Sequence, residues 1–200
     1  MNPDNSAFRV TLNSKIYVDK TELLEYTNSV LDTMDAYICN SRPRRFGKSI
    51  TANMLTAYYS KGCDSEEMFA PLAIGKKNDF RKHLNRYDVI HIDIQWFLSN
   101  VNKLDYIVEY ITDVILAELR ECYPEVITTG VVTLPDALSR IKNATGQKFI
   151  VIIDEWDVLI RDEAANVRVQ NEYISFLQGM LYWIYGRGSK RSVRNISERF

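Results

Sequence analysis

The sequence contains few of the residues that build zinc sites, and it has no long apolar run of the kind that spans a membrane. Only two histidines and three cysteines occur among its 200 residues, and they form no Cys/His cluster, which argues against a zinc site. The longest apolar stretch, residues 176–185, is interrupted by Gln178 and Gly179 and is too short to cross a bilayer. We therefore expect neither a zinc ion nor a membrane as a partner.

The sequence also has little net charge and no targeting segment. Its 25 Lys and Arg residues nearly balance its 26 Asp and Glu residues, so the net charge is −1 and a uniformly basic nucleic-acid-binding protein is not indicated. The start of the chain, MNPDNSAFRV, has no basic region followed by an apolar one, so we predict no signal peptide. Three widely spaced cysteines without a pairing pattern indicate a reducing compartment and packed thiols, and we expect a cytoplasmic protein.

What the sequence does contain is an alternation of short apolar runs with longer amphipathic runs. Its length fits one domain or at most two small domains. The runs 36–39, 89–94 and 149–153 are predicted strands, and we expect 149–153 to be buried on both faces. Helical spacing of apolar residues predicts longer helices in residues 50–62, 103–122, 133–144 and 173–184. Strands that alternate with helices predict an α/β fold with a mostly parallel sheet.

Two further predictions concern the ends of the chain. Near the N-terminus, Asp19 or Thr21 is predicted to cap a helix over residues 23–26, because short polar side chains accept hydrogen bonds from a first helical turn. At the other end, composition turns basic and polar after Gly186. We therefore predict a folded domain over residues 1–186 and a basic, disordered tail over 187–200.

The triplet Gly47-Lys48-Ser49 lies between a predicted strand and a predicted helix. Phosphate-binding loops use this arrangement, because the turn directs backbone N–H groups inward and the helix N-terminus adds partial positive charge. Lys48 can then reach the β- and γ-phosphates, and the Ser49 hydroxyl can bind Mg²⁺. The template also asks for glycine where this chain has Arg42. The triplet alone thus leaves open a plain basic turn that starts a helix.

A second motif favours the nucleotide site. The apolar run FIVII ends in Asp154 and Glu155, and a carboxylate at the tip of such a strand lies beside the phosphate loop in nucleotide-hydrolysing α/β folds. Asp154 is predicted to hold Mg²⁺, and Glu155 to orient and deprotonate the attacking water. The alternative is that both acids mark the solvated end of the strand. The combination of both motifs on strands favours nucleotide binding.

These residues resemble a known family. RPRRFGKS (42–49) resembles the modified Walker A motif of the AAA-ATPase-like proteins, a group of bacterial and archaeal P-loop ATPases. YVDKTELL (17–24) is similar to the N-terminal signature of that family, and IIDEWD (152–157) resembles its Walker B motif. The resemblance covers roughly residues 8–185. It implies a three-layer P-loop core with five parallel strands in the order 5-1-4-3-2, and often a linked PD-(D/E)XK nuclease-like domain.

The resemblance also implies the roles of single residues. Glu155 and Lys48 would be catalytic, and Ser49 and Asp154 would hold Mg²⁺. An arginine at position 42 is usual in the family. The residues implied to bind ATP are Arg42, Arg44, Arg45, Phe46, Gly47, Lys48, Ser49 and Ile50.

The purpose of the three loop arginines stays open between two hypotheses. One arginine could bind phosphate bidentately and replace backbone contacts that Pro43 removes. Alternatively, the arginines form ion pairs that hold the loop, with Asp19 or Glu22 as partners.

The chain offers fewer strands than the family fold requires. We find no further buried strand after Asp154, so we expect a core that is incomplete on its C-terminal side, as in a truncated or fragmentary family member. The predicted function is binding of ATP–Mg²⁺ and hydrolysis of ATP. The alternatives are a nucleotide-binding or interaction module with little turnover and a DNA-associated ATPase. A protein partner, a second copy of the chain and nucleic acid remain open as partners.

Overall fold

The computed structural model divides the chain into two units. The first consists of Met1–Ile92 with Lys148–Asp154, and the second consists of Asp93–Gln147 with the described residues that follow Asp154. The predicted tail, 187–200, lies outside the described residues. The structure describes residues 1–33, 35–39, 47–128, 130, 133–161 and 166–185.

Two of the three predicted strands form, and they lie side by side. β1 (Asp88–Asp93) and β2 (Phe149–Asp154) are parallel neighbours in a two-stranded sheet, so the fold is mixed α/β. The prediction that this strand is buried on both faces is wrong. Most residues of β2 are half-buried, and only Ile152 and Asp154 are buried. In the described part of the chain β2 has a strand on one edge only, and its other residues therefore keep access to solvent.

The third predicted strand, residues 36–39, does not form. These residues belong to no strand, and Ala36, Ile38 and Cys39 are exposed. A short apolar run becomes a strand only when it gains ladder hydrogen bonds and burial from a neighbour. Among the described residues no other strand pairs with the free edge of β2, so this run has nothing to pair with.

The N-terminal segment covers the outer edge of β1. The backbone N–H of Asn2 donates to the carbonyl of Val89 at 2.7 Å, and the Asn2 side-chain oxygen accepts from the N–H of Val89 at 2.8 Å. The buried Asp88 carboxylate accepts from the Asn2 amide at 2.7 Å and pairs with Lys61 at 2.7 Å. Asn2 thus satisfies backbone groups that an edge strand would otherwise leave open.

The first unit surrounds its sheet edge with short helices and one long helix. α3 packs on both α1 and β2, and the predicted helix after the Gly-Lys-Ser triplet is confirmed, although it ends before Ser60 rather than at Gly62. Aromatic rings fill the core, with Phe8 stacked on Phe69 at 5.2 Å between ring centroids. The helices are α1 (Ser6–Leu12), α2 (Leu23–Val30), α3 (Lys48–Tyr59), α4 (Glu66–Phe69), a 3-10 turn (Ala73–Lys76) and α5 (Phe80–His83).

A buried polar network joins α2 to α3. The Tyr59 hydroxyl donates to the Asn28 side-chain oxygen at 2.8 Å and lies 2.6 Å from the Thr27 hydroxyl. The Asn28 amide donates to the Tyr58 hydroxyl at 3.1 Å, and Tyr58 donates to the carbonyl of Phe80 at 2.7 Å. Burial raises the pKa of Tyr58 to about 12 and raises that of Tyr59 further, so both hydroxyls stay protonated.

The second unit is helical. Its buried residues on α7 recur at the predicted spacing, and α7, α8 and α10 pack on one another. α8 begins as predicted: the Thr133 hydroxyl accepts from the N–H of Asp136, Pro135 lies in the first turn, and Gly146 ends the helix with φ 69°. The helices are α6 (Ile94–Asn100), a 3-10 turn (Leu104–Tyr106), α7 (Ile107–Cys122), α8 (Leu134–Thr145), α9 (Val158–Arg161) and α10 (Val167–Tyr185).

The three cysteines are free thiols. The expectation that they are packed is wrong for Cys39 and Cys122, which are exposed, whereas Cys63 is half-buried and burial raises its pKa. Within the described ranges, no helix combines the length and apolarity that a membrane crossing requires.

We predict that Asn28 is the residue on which the buried network depends. Asn28→Ala should lower the free energy of unfolding by about 1–3 kcal/mol, because the buried Tyr58 and Tyr59 hydroxyls each lose one of their hydrogen bonds. Tyr59→Phe should cost less, about 1 kcal/mol, because it removes the donor to the Asn28 oxygen but keeps the buried ring and the bond from the Asn28 amide to Tyr58. Urea unfolding followed by circular dichroism measures both. Ser29→Ala, at an exposed position of the same helix, is the control, and equal losses in it and Asn28→Ala would contradict the prediction.

Candidate functional site

The predicted phosphate loop is described only at its C-terminal half. Arg42, Arg44, Arg45 and Phe46 lie outside the described residues. Gly47, Lys48, Ser49 and Ile50 are described, and they form the start of α3 in the first unit. The structure therefore bears on the glycine, the lysine and the serine of the motif, and the roles of the arginines stay predictions.

Gly47 adopts a backbone conformation that favours glycine. Its φ of 76° and ψ of 33° lie in the left-handed region, and it is the residue before the first turn of α3. Its carbonyl accepts from both the N–H and the hydroxyl of Thr51, each at 3.0 Å, and these bonds anchor the turn to the helix. A Cβ at this position would lie 3.0 Å from the Lys20 Nζ. The backbone angle therefore favours glycine here, and a larger residue would also displace the Lys20 ammonium by a few tenths of an ångström.

The first turn of α3 offers hydrogen-bond donors to a ligand. Gly47 has no side chain to cap it, no capping bond is present among the described residues, and a helix N-terminus carries partial positive charge. Lys48 is half-buried, and Ser49 and Ile50 are exposed at the start of this twelve-residue helix. An ammonium, a hydroxyl and uncapped backbone N–H groups are together suited to bind an anion.

The carboxylate predicted to bind metal belongs to the same unit. α3 packs on β2, and β2 ends at Asp154, whose side chain is buried. A serine hydroxyl and a carboxylate are oxygen donors, which Mg²⁺ prefers, and Mg²⁺ bound with phosphates takes only one or two carboxylates from the protein. No group of three His, Cys, Asp or Glu side chains with a metal-binding arrangement occurs among the described residues. The donor chemistry of Ser49 and Asp154 thus fits nucleotide-bound Mg²⁺.

Glu155, which follows β2 and belongs to the second unit, has a strained backbone. Its φ is 50°, and its carbonyl accepts from the N–H of Val158 at 3.0 Å. Its carboxylate lies 3.9 Å from Arg161 Nη2. The other non-glycine residues with positive φ in the described part of the chain are Asn2, Asp32 and Asn85, residue types that tolerate this conformation. Glutamate does not, and such strain concentrates at functional positions.

The segment Asp19-Lys20-Thr21 is tied to the 3-10 turn at Ala73. Asp19 Oδ1 accepts from the N–H and the hydroxyl of Thr21, at 2.8 and 2.7 Å, and Asp19 Oδ2 accepts from the N–H of Ala73 at 2.8 Å. The buried Thr21 hydroxyl accepts from the N–H of Ile74 at 3.2 Å. Burial alone would raise the pKa of Asp19, but these hydrogen bonds outweigh it and leave the pKa below its ordinary value.

This arrangement corrects one prediction and adds a residue. Neither Asp19 nor Thr21 caps α2, which begins after Glu22 without a side-chain cap, because both side chains bond to the Ala73 turn instead. The added residue is Lys20, which the sequence motifs did not single out and whose ammonium lies against Gly47. Lys20 belongs to the YVDKT signature, which was the available signal, but only the folded chain shows where its side chain points.

Comparison with known proteins places the chain in a family. The family model described as "Predicted AAA-ATPase" matches residues 6–196, nearly the whole chain. No curated protein and no solved structure gives a significant match. Because the family model spans well over half of the sequence, this chain belongs to the AAA-ATPase-like family.

Proposed function

We propose that this protein binds ATP with Mg²⁺ and hydrolyses the bond between the β- and γ-phosphates. One observation carries the proposal: Gly47, in a left-handed conformation, starts α3 with Lys48 and Ser49, and α3 packs on a strand that ends in Asp154. Membership of the AAA-ATPase-like family supports nucleotide binding. ATP as the particular nucleotide rests on the family alone.

Different residues would bind the phosphates and the metal ion. The uncapped N–H groups of the first turn of α3 and the Lys48 ammonium would hold the phosphates, because charged and oriented donors bind phosphate oxygens strongly. Ser49 and Asp154 would hold Mg²⁺, and the ion would neutralise the charge that develops on the phosphate oxygens. Ile50, exposed beside them, and Phe46 would complete the cofactor-binding loop.

Hydrolysis requires a base for the attacking water. Glu155 would accept a proton from water as the water oxygen bonds to the γ-phosphorus and the bond to the bridging oxygen breaks, which releases ADP and phosphate. The strained backbone of Glu155 supports a functional role, since strain of this kind concentrates at functional positions. This role belongs to the proposal.

A binding module with little turnover is the second candidate. The small size of the sheet supports it. In the described part of the chain the sheet consists of β1 and β2, and residues 36–39 do not add a third strand. A complete three-layer core over residues 1–186 is a proposal that needs more strands than the described part of the chain contains. Single-turnover hydrolysis compared with ATP binding separates the two candidates.

We predict that the lysine and the glutamate have separable effects. Lys48→Ala should weaken ATP binding about 10- to 100-fold, because it removes a charge-assisted contact worth about 1.5–3 kcal/mol. Glu155→Gln should leave ATP affinity nearly unchanged and abolish hydrolysis. Isothermal titration calorimetry and single-turnover phosphate release measure these quantities, with Lys15→Ala as an exposed control.

The outcomes discriminate between the candidates. Binding by Lys48→Ala equal to that of the control would contradict the phosphate site. Binding without any hydrolysis in the unmodified chain would favour the module, and hydrolysis that survives Glu155→Gln would reject Glu155 as the base. Stimulation by DNA, measured in the same assay, would support the DNA-associated form of the ATPase.

We predict that the backbone strain at Glu155 lowers stability. Glu155→Asn should raise the free energy of unfolding by about 1 kcal/mol, because asparagine tolerates a positive φ, whereas Glu155→Gln should leave it unchanged. Both variants should lose hydrolysis. Chemical denaturation of the pair provides the comparison, and a less stable Glu155→Asn would show that the glutamate side chain supports the fold.

We predict that one loop arginine binds phosphate bidentately. Replacement of Arg42, Arg44 and Arg45 by lysine, one at a time, should weaken ATP binding at that position, because lysine keeps the charge but cannot form the paired contact. Calorimetric titration with ATP measures the effect. Unchanged affinity in all three variants would reject the phosphate clamp and favour ion pairs that hold the loop.

A further inference from the structure

The position of Lys20 relative to Gly47 is the starting observation. The Lys20 Nζ lies 3.0 Å from the point where a Cβ of Gly47 would stand, so the ammonium lies directly against the backbone that precedes α3. The lysine is half-buried. Lys48 and Ser49 follow that backbone immediately, and both segments belong to the first unit. A cation from a segment remote in sequence therefore lies beside the first turn of α3.

Lys20 is held there by both of its neighbours. Asp19 bonds to the N–H of Ala73 and Thr21 bonds to the N–H of Ile74, so the backbone on each side of the lysine is fixed to the same 3-10 turn. Asp19 also bonds twice to Thr21 and thereby closes a tight turn around Lys20. The stem of the lysine consequently starts from a defined position, and less side-chain freedom remains to be lost on binding a ligand.

The charge of Lys20 is of the sign that a helix N-terminus disfavours. The partial positive charge of the first turn of α3 attracts anions and repels cations. An anion between the Lys20 ammonium and the backbone N–H groups would interact favourably with both, because both present positive charge to it. The arrangement is thus suited to a bound phosphate group.

We propose that Lys20 is a second phosphate-binding lysine of the nucleotide site, whose ammonium binds oxygens of the phosphate group that lies over Gly47. The inference rests on the proposed function and extends it by giving the Asp-Lys-Thr segment a role: Asp19 and Thr21 are anchors, and Lys20 is the residue that they present to the ligand. The ligand class is a nucleoside polyphosphate or another compound with a polyphosphate group.

The test compares charge removal with charge retention. Lys20→Met removes the ammonium and keeps an unbranched stem, and Lys20→Arg keeps a positive charge. Calorimetry with ATP, inorganic pyrophosphate and adenosine should show that Lys20→Met weakens ATP and pyrophosphate binding about 10- to 100-fold. Lys20→Arg should recover part of this loss. Adenosine, which has no phosphate, should bind Lys20→Met and the unmodified chain equally.

Controls separate this inference from the function on which it rests. Lys15→Met, at an exposed position nearby in sequence, should bind ATP as the unmodified chain does. If the unmodified chain binds no ATP, the proposed function fails. If Lys48→Ala weakens ATP binding while Lys20→Met matches Lys15→Met, the proposed function stands and the role of Lys20 is rejected.

Thermal unfolding without ligand tests a purely structural role. If Lys20 only holds the loop, Lys20→Met should melt at a lower temperature than Lys15→Met and should weaken adenosine and ATP binding alike, which would overturn the inference. If Lys20 binds phosphate, Lys20→Met should lose affinity for ATP and keep its affinity for adenosine, whatever its melting temperature without ligand. The rise in melting temperature on addition of ATP should then be smaller in Lys20→Met.

Discussion

The packing of α3 on β2 is the contact on which the candidate site depends. α3 begins at Lys48, directly after Gly47, and β2 ends at Asp154, so this single contact brings the helix of one motif against the strand of the other. The buried bonds from Tyr58 and Tyr59 to α2 hold the opposite end of α3. A shift of α3 would therefore disturb the polar network and the turn at Gly47 together.

The segment before α2 shows how buried hydrogen bonds can serve a charged residue. Asp19 and Thr21 bond to consecutive backbone N–H groups of the 3-10 turn, Ala73 and Ile74. These bonds give the segment a fixed backbone in a part of the chain without a regular element. The side chain of Lys20 lies between these two anchors, and its ammonium extends to Gly47. A short polar sequence thus positions a charged side chain that lies far from Gly47 in the sequence.

The sequence predicted the longer helices and the two strands that form, and the failures share a cause. Residues 107–122 and 134–145 follow local rules of spacing and capping, which is why those predictions hold. Residues 36–39 have the composition of a strand, but a strand also requires a partner, and pairing is a long-range property. The same limit explains why Asp19 and Thr21 do not cap α2 as predicted. Their side chains bond instead to backbone N–H groups that lie more than fifty residues away in the sequence.

For the site, the sequence by itself determined the chemistry: glycine, lysine and serine at a helix start, and two acids after an apolar strand. These assignments follow from residue types and from their spacing within one element. Only the tertiary structure decided which distant groups approach them, namely Lys20 against Gly47, and α3 against the strand that ends in Asp154. Local propensity acts over a few residues, whereas the position of a remote side chain depends on packing and on the hydrogen bonds that fix its backbone.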